Sequence, residues 1–200
     1  MDTFDWAIEA YASGAIFVSF DLETTGLDPK KDRIAEIGAV KFDNKGLIAR
    51  FSALVNPGIP MPAEAGRVNN ISDEMLAGKP GIDKVLPDFL GFINKTIIVA
   101  YNAPFDCGFV NECLKSRWEE GESSFFSEKA PGSSPFPSLP NPIADALVFA
   151  RGRFTGRKSY SLQNMAADLG IPALEAHRAE DDARLCMEIF IQALSQNLSV

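Results

Sequence analysis

At 200 residues, with 46% hydrophobic and 23% charged side chains, the chain is long enough for one sizeable core and reads as a single domain over residues 1–200. Its formal net charge of −8 excludes a global basic field for steering polyanions, so any nucleic-acid contact must be local and helped by cations. Cys107, Cys113 and Cys186 are odd in number and form no C-x-x-C pair, which argues against a disulfide or zinc framework and for reduced thiols in the cytoplasm. The start, Met1 to Asp5, is acidic where a signal peptide is basic, and no apolar run reaches membrane-spanning length.

Residues 2–13 carry Phe4, Trp6, Ile8 and Tyr11 among polar side chains and predict a short helix ending near Gly14. The apolar run Ala15 to Phe20 predicts a buried strand that delivers Asp21 and Glu23. Residues two apart on a strand share a face, so these two carboxylates point the same way. Their repulsion, and the cost of desolvating them, would be removed by a cation, and carboxylate oxygens suit magnesium or manganese. The alternative is an acidic strand end facing water. Thr24, Thr25 and Gly26 then turn the chain, with Gly26 free to take positive φ.

Ile34, Ile37, Val40 and Phe42 mark a second strand. Asp43-Asn44-Lys45-Gly46 is a turn, and Leu47 to Val55 is a third strand, antiparallel to the second. Ile59 to Glu64 reads as irregular. Ser72 is a candidate N-cap, and Asn70 suits a left-handed position. Ile82 to Ile93 has helical spacing around Val85, Leu86, Phe89 and Leu90, with Pro87 expected to delay or bend the helix. Thr96 to Ala100 is a short buried strand, and Tyr101-Asn102-Ala103-Pro104-Phe105-Asp106 opens a helix. Residues 119–142, rich in Ser, Pro, Gly and Glu, predict a mobile loop. A strand end and helix follow from Ile143 to Arg151. Tyr160 to Leu169 is a helix closed by Gly170, and Arg178 to Leu194 is the last helix. Arg151, Arg153, Arg157 and Lys158 form the one basic cluster, read either as solvated surface or as phosphate contacts.

Three acidic sites therefore stand out: Asp21 with Glu23, Asp106 in a helix's first turn after a buried strand, and Asp182, five residues after His177, the only histidine. Strand-to-next-element junctions are where catalytic groups of open α/β sheets gather. The stretches FDLETTG, YNAPFD and HRAEDDA, in that order, resemble the three motifs of the DEDDh 3′→5′ exonucleases. In style they are most similar to the DNA polymerase III epsilon subunit proofreading domain. The resemblance runs from about Ile16 to Cys186 and includes IGAV and SLQNMAADLGI.

That resemblance implies an α/β fold of RNase H type: a mixed five-stranded sheet, first three strands antiparallel, flanked by helices. It implies two Mg²⁺ ions, with Mn²⁺ as substitute. Asp21, Glu23 and Asp182 match ligands of the tighter ion, Asp21 bridges to the second, and Asp106 holds that one largely through water. His177 matches the general base that deprotonates the attacking water, and a histidine titrates close to neutral pH as that role requires. The spacing H-x-A-x-x-D selects Asp182 over Asp181, which should point aside. Glu23 and the backbone of Thr24 match the hold on a terminal 3′-hydroxyl, and Leu27 a wedge against the last base. Asn102 reads as substrate contact or helix cap, and Phe105 as core or as a stacking surface. Tyr101 stands where many members have His, and Asn69-Asn70 where His-Gly is common.

The expected activity is metal-dependent hydrolysis from single-stranded or frayed 3′ ends of DNA, releasing nucleoside 5′-monophosphates in proofreading or repair. A DNA polymerase subunit is the expected protein partner and no membrane is involved. Two alternatives stand beside it: an exoribonuclease trimming RNA ends, and a silent nucleic-acid or polymerase-binding module.

Overall fold

The alternation of side chains along each strand decides which core a residue enters. In the computed structural model, which describes residues 4–121, 137–175 and 177–196, strand β1 (Phe17–Thr24) sends Val18, Phe20 and Leu22 into one core. Phe17 goes into a second core on the opposite face, which Ser19, Asp21 and Glu23 share by alternation. Strands β2 (Ile34–Asp43) and β3 (Gly46–Leu54) add in antiparallel pairs, with Gly46 at φ 127° in the tight connection. Strands β4 (Ile97–Ala100) and β5 (Ile143–Asp145) add on the other side of β1 in parallel pairs, so the order is β3-β2-β1-β4-β5. This is the mixed RNase H-type sheet expected from the sequence.

Helices cover both faces. One core packs Val18, Phe20 and Ile37 against Phe89 of α4 (Ile82–Ile93) and Phe109 and Val110 of α5 (Ala103–Glu119). The other packs Phe17, Val40 and Phe42 against α8 (Ala179–Ser195), with α1 (Asp5–Ala12), α6 (Ala146–Arg153) and α7 (Leu162–Asp168) around it. Phe190 of α8 stands 5.8 Å from Phe17 and 4.9 Å from Phe149, ring centre to ring centre. Among the described residues no helix is long and apolar enough to cross a membrane. Most of the 119–142 stretch, read as a mobile loop, lies outside the described residues.

Several local expectations change. A short helix α2 (Ala63–Asn69) occupies part of the stretch read as irregular, entered from Pro62, and α3 (Asp73–Leu76) follows. Asn70 does take the left-handed conformation, φ 54°, and ends α2. Ser72 stands at the N-cap of α3 but makes no capping bond. Helix α4 starts at Ile82, ahead of Pro87, so the proline does not delay it. Gly26 is not at positive φ; a Cβ there would stand 2.4 Å from the Asp32 carboxylate, which the Asp28 N–H holds at 2.8 Å.

One glycine matters more for the site. A Cβ on Gly38 of β2 would stand 2.0 Å from the Glu180 backbone nitrogen and 2.1 Å from the Ala179 carbonyl carbon. Backbone cannot yield as a side-chain tip can, so only glycine lets the start of α8 lie on the sheet. Gly38→Ala should therefore destabilise by roughly 1–3 kcal/mol. Gly91→Ala, inside α4 with nothing within 4 Å of the new methyl, should be neutral or stabilising by about 0.5–1 kcal/mol. Urea unfolding of the two variants checks the contrast.

Candidate active site

The site forms where β1 outruns its parallel neighbour. Paired positions of β1 and β4 stop at Ser19 opposite Val99, while β1 continues to Thr24. The Leu22 N–H is left without a strand on that side, and it donates to Asp106 Oδ1 at 3.1 Å. Asp106 is 2% exposed and sits in the first turn of α5. Its placement depends on an αL turn at Asn102, φ 67°, whose N–H donates to Asp145 Oδ1 at 3.2 Å, with the Ala103 N–H on Oδ2 at 3.1 Å. The Asn102 side chain makes no cap bond, so the capping role falls to Asp145.

From the other side comes α8. Its first turn carries Glu180, Asp181 and Asp182, where a helix N-terminus favours negative charge. Carboxylate oxygens of Asp21, Glu23 and Asp182 lie within 4.8 Å of one another. Asp106 is not in that group of three, but its charge is the strongest of the neighbouring charges acting on Asp21. The surroundings have a measurable consequence. Burial, and then the charges of Asp106, Glu23, Asp182 and Glu36, hold Asp21 protonated far above the usual carboxylate range. Burial, with Asp182 and Glu36, pushes Glu23 to about 8. Burial raises Asp106 to about 8 against the pull of its backbone hydrogen bonds. Burial raises Asp182 to about 6, opposed by a bond from Gln163 Nε2 at 2.6 Å and by the nearby His177.

All-oxygen donors packed at this spacing are the donor chemistry of a hard divalent cation, and they fit one: its charge removes the repulsion and the desolvation cost together. His177 lies just ahead of α8, exposed and at φ 61°, a left-handed conformation uncommon outside glycine. Asp181 does not merely point aside. It is 8% exposed, its Oδ2 accepts from the Leu174 and Glu175 N–H groups at 2.7 and 2.9 Å, and Arg184 Nε donates to its Oδ1 at 2.7 Å. It therefore secures the loop leading to His177.

The expected substrate-facing residues spread along the same edge. Thr24 is buried, its hydroxyl donating to the Gly26 carbonyl at 2.6 Å. Leu27 is 82% exposed beyond it. Asn102 is exposed, and Phe105 is half-buried against Phe109, so it belongs partly to the core. Asn69, in the departure from His-Gly, is buried and donates from Nδ2 to the Thr24 carbonyl at 2.9 Å. Tyr101, in the other departure, donates its hydroxyl to the Tyr160 carbonyl at 2.7 Å. In the basic cluster Arg157 pairs with Asp168 at 3.3 Å, and Arg153 and Arg151 lie over the Phe4 and Tyr160 rings. Gln163, Asp145, Gly38 and Glu36 were not singled out from the sequence. The available signal for Glu36 was an acidic residue inside an apolar strand run, which demands a buried partner.

The family model described as Exonuclease matches residues 18–190. The DNA polymerase III subunit epsilon of Treponema pallidum is 40% identical over 196 residues, covering 97% of this chain and 83% of that protein. The DNA polymerase III PolC-type of Clostridium perfringens is 36% identical over 173 residues, which are 86% of this chain but 11% of that one. Among solved structures, exonuclease X in complex with 5′ overhanging duplex DNA superposes with a TM-score of 0.67 at 23% identity, covering 92% and 94% of the two chains. Exonuclease I gives 0.71 at 20% identity, over 90% of this chain and 40% of that one. The chain belongs to this exonuclease family, and its reaction is that of a 3′→5′ exonuclease.

The raised carboxylates predict how stability follows pH when no divalent cation is present. A carboxyl whose folded pKa lies above its unfolded value favours the fold at low pH and loses that contribution as pH rises through the folded value. For Glu23 the loss runs from about 4.5 to about 8. The chelated protein should therefore lose unfolding temperature over that window, and Mn²⁺ should restore it. Asp21→Asn should raise the chelated protein's unfolding temperature, by about 2–4 °C for each kcal/mol of the acid's burial and repulsion removed in a chain of this size. Scanning calorimetry of both proteins with and without chelator measures this.

Proposed function

We propose that this exonuclease works as one metal-dependent domain on single-stranded or frayed 3′ ends of DNA, releasing nucleoside 5′-monophosphates, in the manner of a proofreading subunit. The convergence of Asp21, Glu23 and Asp182 to within 4.8 Å carries the reading. The names of the relatives, a DNA polymerase III epsilon subunit and a PolC-type polymerase, support DNA as substrate and a polymerase as partner. Exonuclease X was solved on duplex DNA with a 5′ overhang, which is a recessed 3′ end.

Asp21, Glu23 and Asp182 would hold one Mg²⁺ or Mn²⁺, and Asp21 with Asp106 a second. A bound pair of such ions supplies positive charge for the attacking and leaving oxygens of an in-line displacement. The protein's own part is to orient and to move a proton. His177 accepts the proton of the attacking water on its imidazole. Asp106 keeps Leu22, and with it the end of β1, in register with α5. Asn69, bonded to the Thr24 carbonyl, holds the backbone against which the terminal 3′-hydroxyl rests. Leu27, exposed just beyond, wedges against the last base, while Asn102 and Phe105 face the strand from the start of α5. A site that grips a chain end has no place for an internal bond.

His177→Ala should lower the rate roughly 10²–10⁴-fold, the usual worth of a general base, with metal binding largely kept. Digestion of matched 3′-labelled and 5′-labelled DNA and RNA single strands should release labelled mononucleotide at once from the 3′ label and only at the end from the 5′ label. Faster trimming of the RNA would instead favour the exoribonuclease reading. Efficient cutting of circular single-stranded DNA would contradict the end-gripping site, and parental rates in folded Asp21→Asn would remove the metal scheme.

A further inference from the structure

The mechanism above leaves the buried carboxylate of Glu36 unused. Glu36 is 1% exposed on β2, in direct register with Glu23 of β1. A fifth acid beside four others adds to the repulsion, since its charge acts on both Asp21 and Glu23. Its oxygens are already occupied. Arg178 donates from Nη2 to Oε1 at 2.7 Å and from Nε at 3.3 and 3.2 Å to Oε1 and Oε2. The Ala179 N–H donates to Oε2 at 3.3 Å. Arg178 is the N-cap residue of α8, and no side chain of its own caps the helix, so Glu36 takes that place from the sheet.

Arg178 also directly follows His177. The guanidinium fork fixes direction as well as distance, which an ammonium does not. On the preceding side the chain is tied by Asp181 through Leu174 and Glu175, and Arg184 donates to the Pro172 carbonyl at 2.7 Å. The left-handed, exposed His177 thus projects between two fixed points, and the later of the two is the Glu36 pair. We propose that Glu36 and Arg178 form a positioning pair: the fork on β2 sets where His177 stands over the carboxylates of β1 and α8. The proposal rests on the reading of His177 as the base. It assigns Glu36 a role distinct from the metal-holding acids beside it.

The test compares Arg178→Lys, which keeps the charge and loses the fork, with Glu36→Gln/Arg178→Gln, which removes both charges and leaves neither buried alone. Because the chain holds one histidine, its imidazole C–H resonances report on His177 alone and need no divalent cation. In Arg178→Lys those resonances should shift, Mn²⁺ affinity by calorimetry should be largely kept, and kcat should fall about 10–100-fold with KM little changed, as for misplacement of a reacting group by an ångström. In a His177→Ala background the same substitution should cost nothing further. Equal losses in both backgrounds, or unmoved resonances with parental kcat, would overturn the positioning role while leaving the base assignment intact. Parental rates in His177→Ala alone would overturn the base assignment, and the positioning role with it. Should Arg178→Lys fail to fold, the charge-free double variant decides by the same readouts.

Discussion

Everything at the working end of this molecule depends on one unfavourable constraint, the joint burial of carboxylates that the fold forces together. Asp21, Glu23 and Asp182 crowd within 4.8 Å, with Asp106 close by and Glu36 across the strand pair. Isolated ionised carboxylates are too costly to bury, so such a set must take up protons or bind cations. The folded protein without cations does the first, with Glu23 and Asp106 titrating at about 8. A bound divalent cation would do the second, and the cost of burying the acids together would become affinity for it.

The rest of the architecture can be read as the means of holding that set in place. Two hydrophobic cores, one on each face of the sheet, fix α5 and α8 against β1. β4 ends early, which opens the end of β1 to Asp106. Gly38 lets α8 approach so closely that Asp182 reaches the two acids of β1. The polar supports divide the work. Asp145 shapes the turn before Asp106, Gln163 steadies Asp182, and Asp181 with Arg184 holds the loop before His177.

The carboxylates that converge were legible partly from local spacing and otherwise from the resemblance, because Asp182 lies far from Asp21 and Glu23 in the chain. Asp21 and Glu23 share a face by the two-residue period of a strand, and His177 precedes Asp182 by five residues. The first three strands were legible from their apolar residues and from the Asp43–Gly46 turn. Several of the supports were not legible in this way, since they join residues far apart in the chain. Glu36 meets Arg178 across 142 residues, and Asn69 meets Thr24 across 45. Gly26 illustrates the same limit. Its φ was the local guess, whereas the observed reason for glycine is the Asp32 side chain six residues away. Helix α2 begins inside the stretch Ile59 to Glu64 that read as irregular, entered from Pro62, since proline suits the start of a helix.

The most direct measurement of the central claim is calorimetric titration of Mn²⁺ in two buffers of different ionisation enthalpy, at neutral pH and well above it. Carboxylates that hold protons because they are buried together must release them when a cation enters. At neutral pH, below the values of about 8 for Glu23 and Asp106, binding should release protons, and the release should fade in more alkaline buffer as those groups ionise beforehand. Tight binding with no proton release at neutral pH would mean that the acids are already ionised and that their joint burial does not hold protons on them. Absence of binding in the folded protein would mean that the cluster is not a cation site.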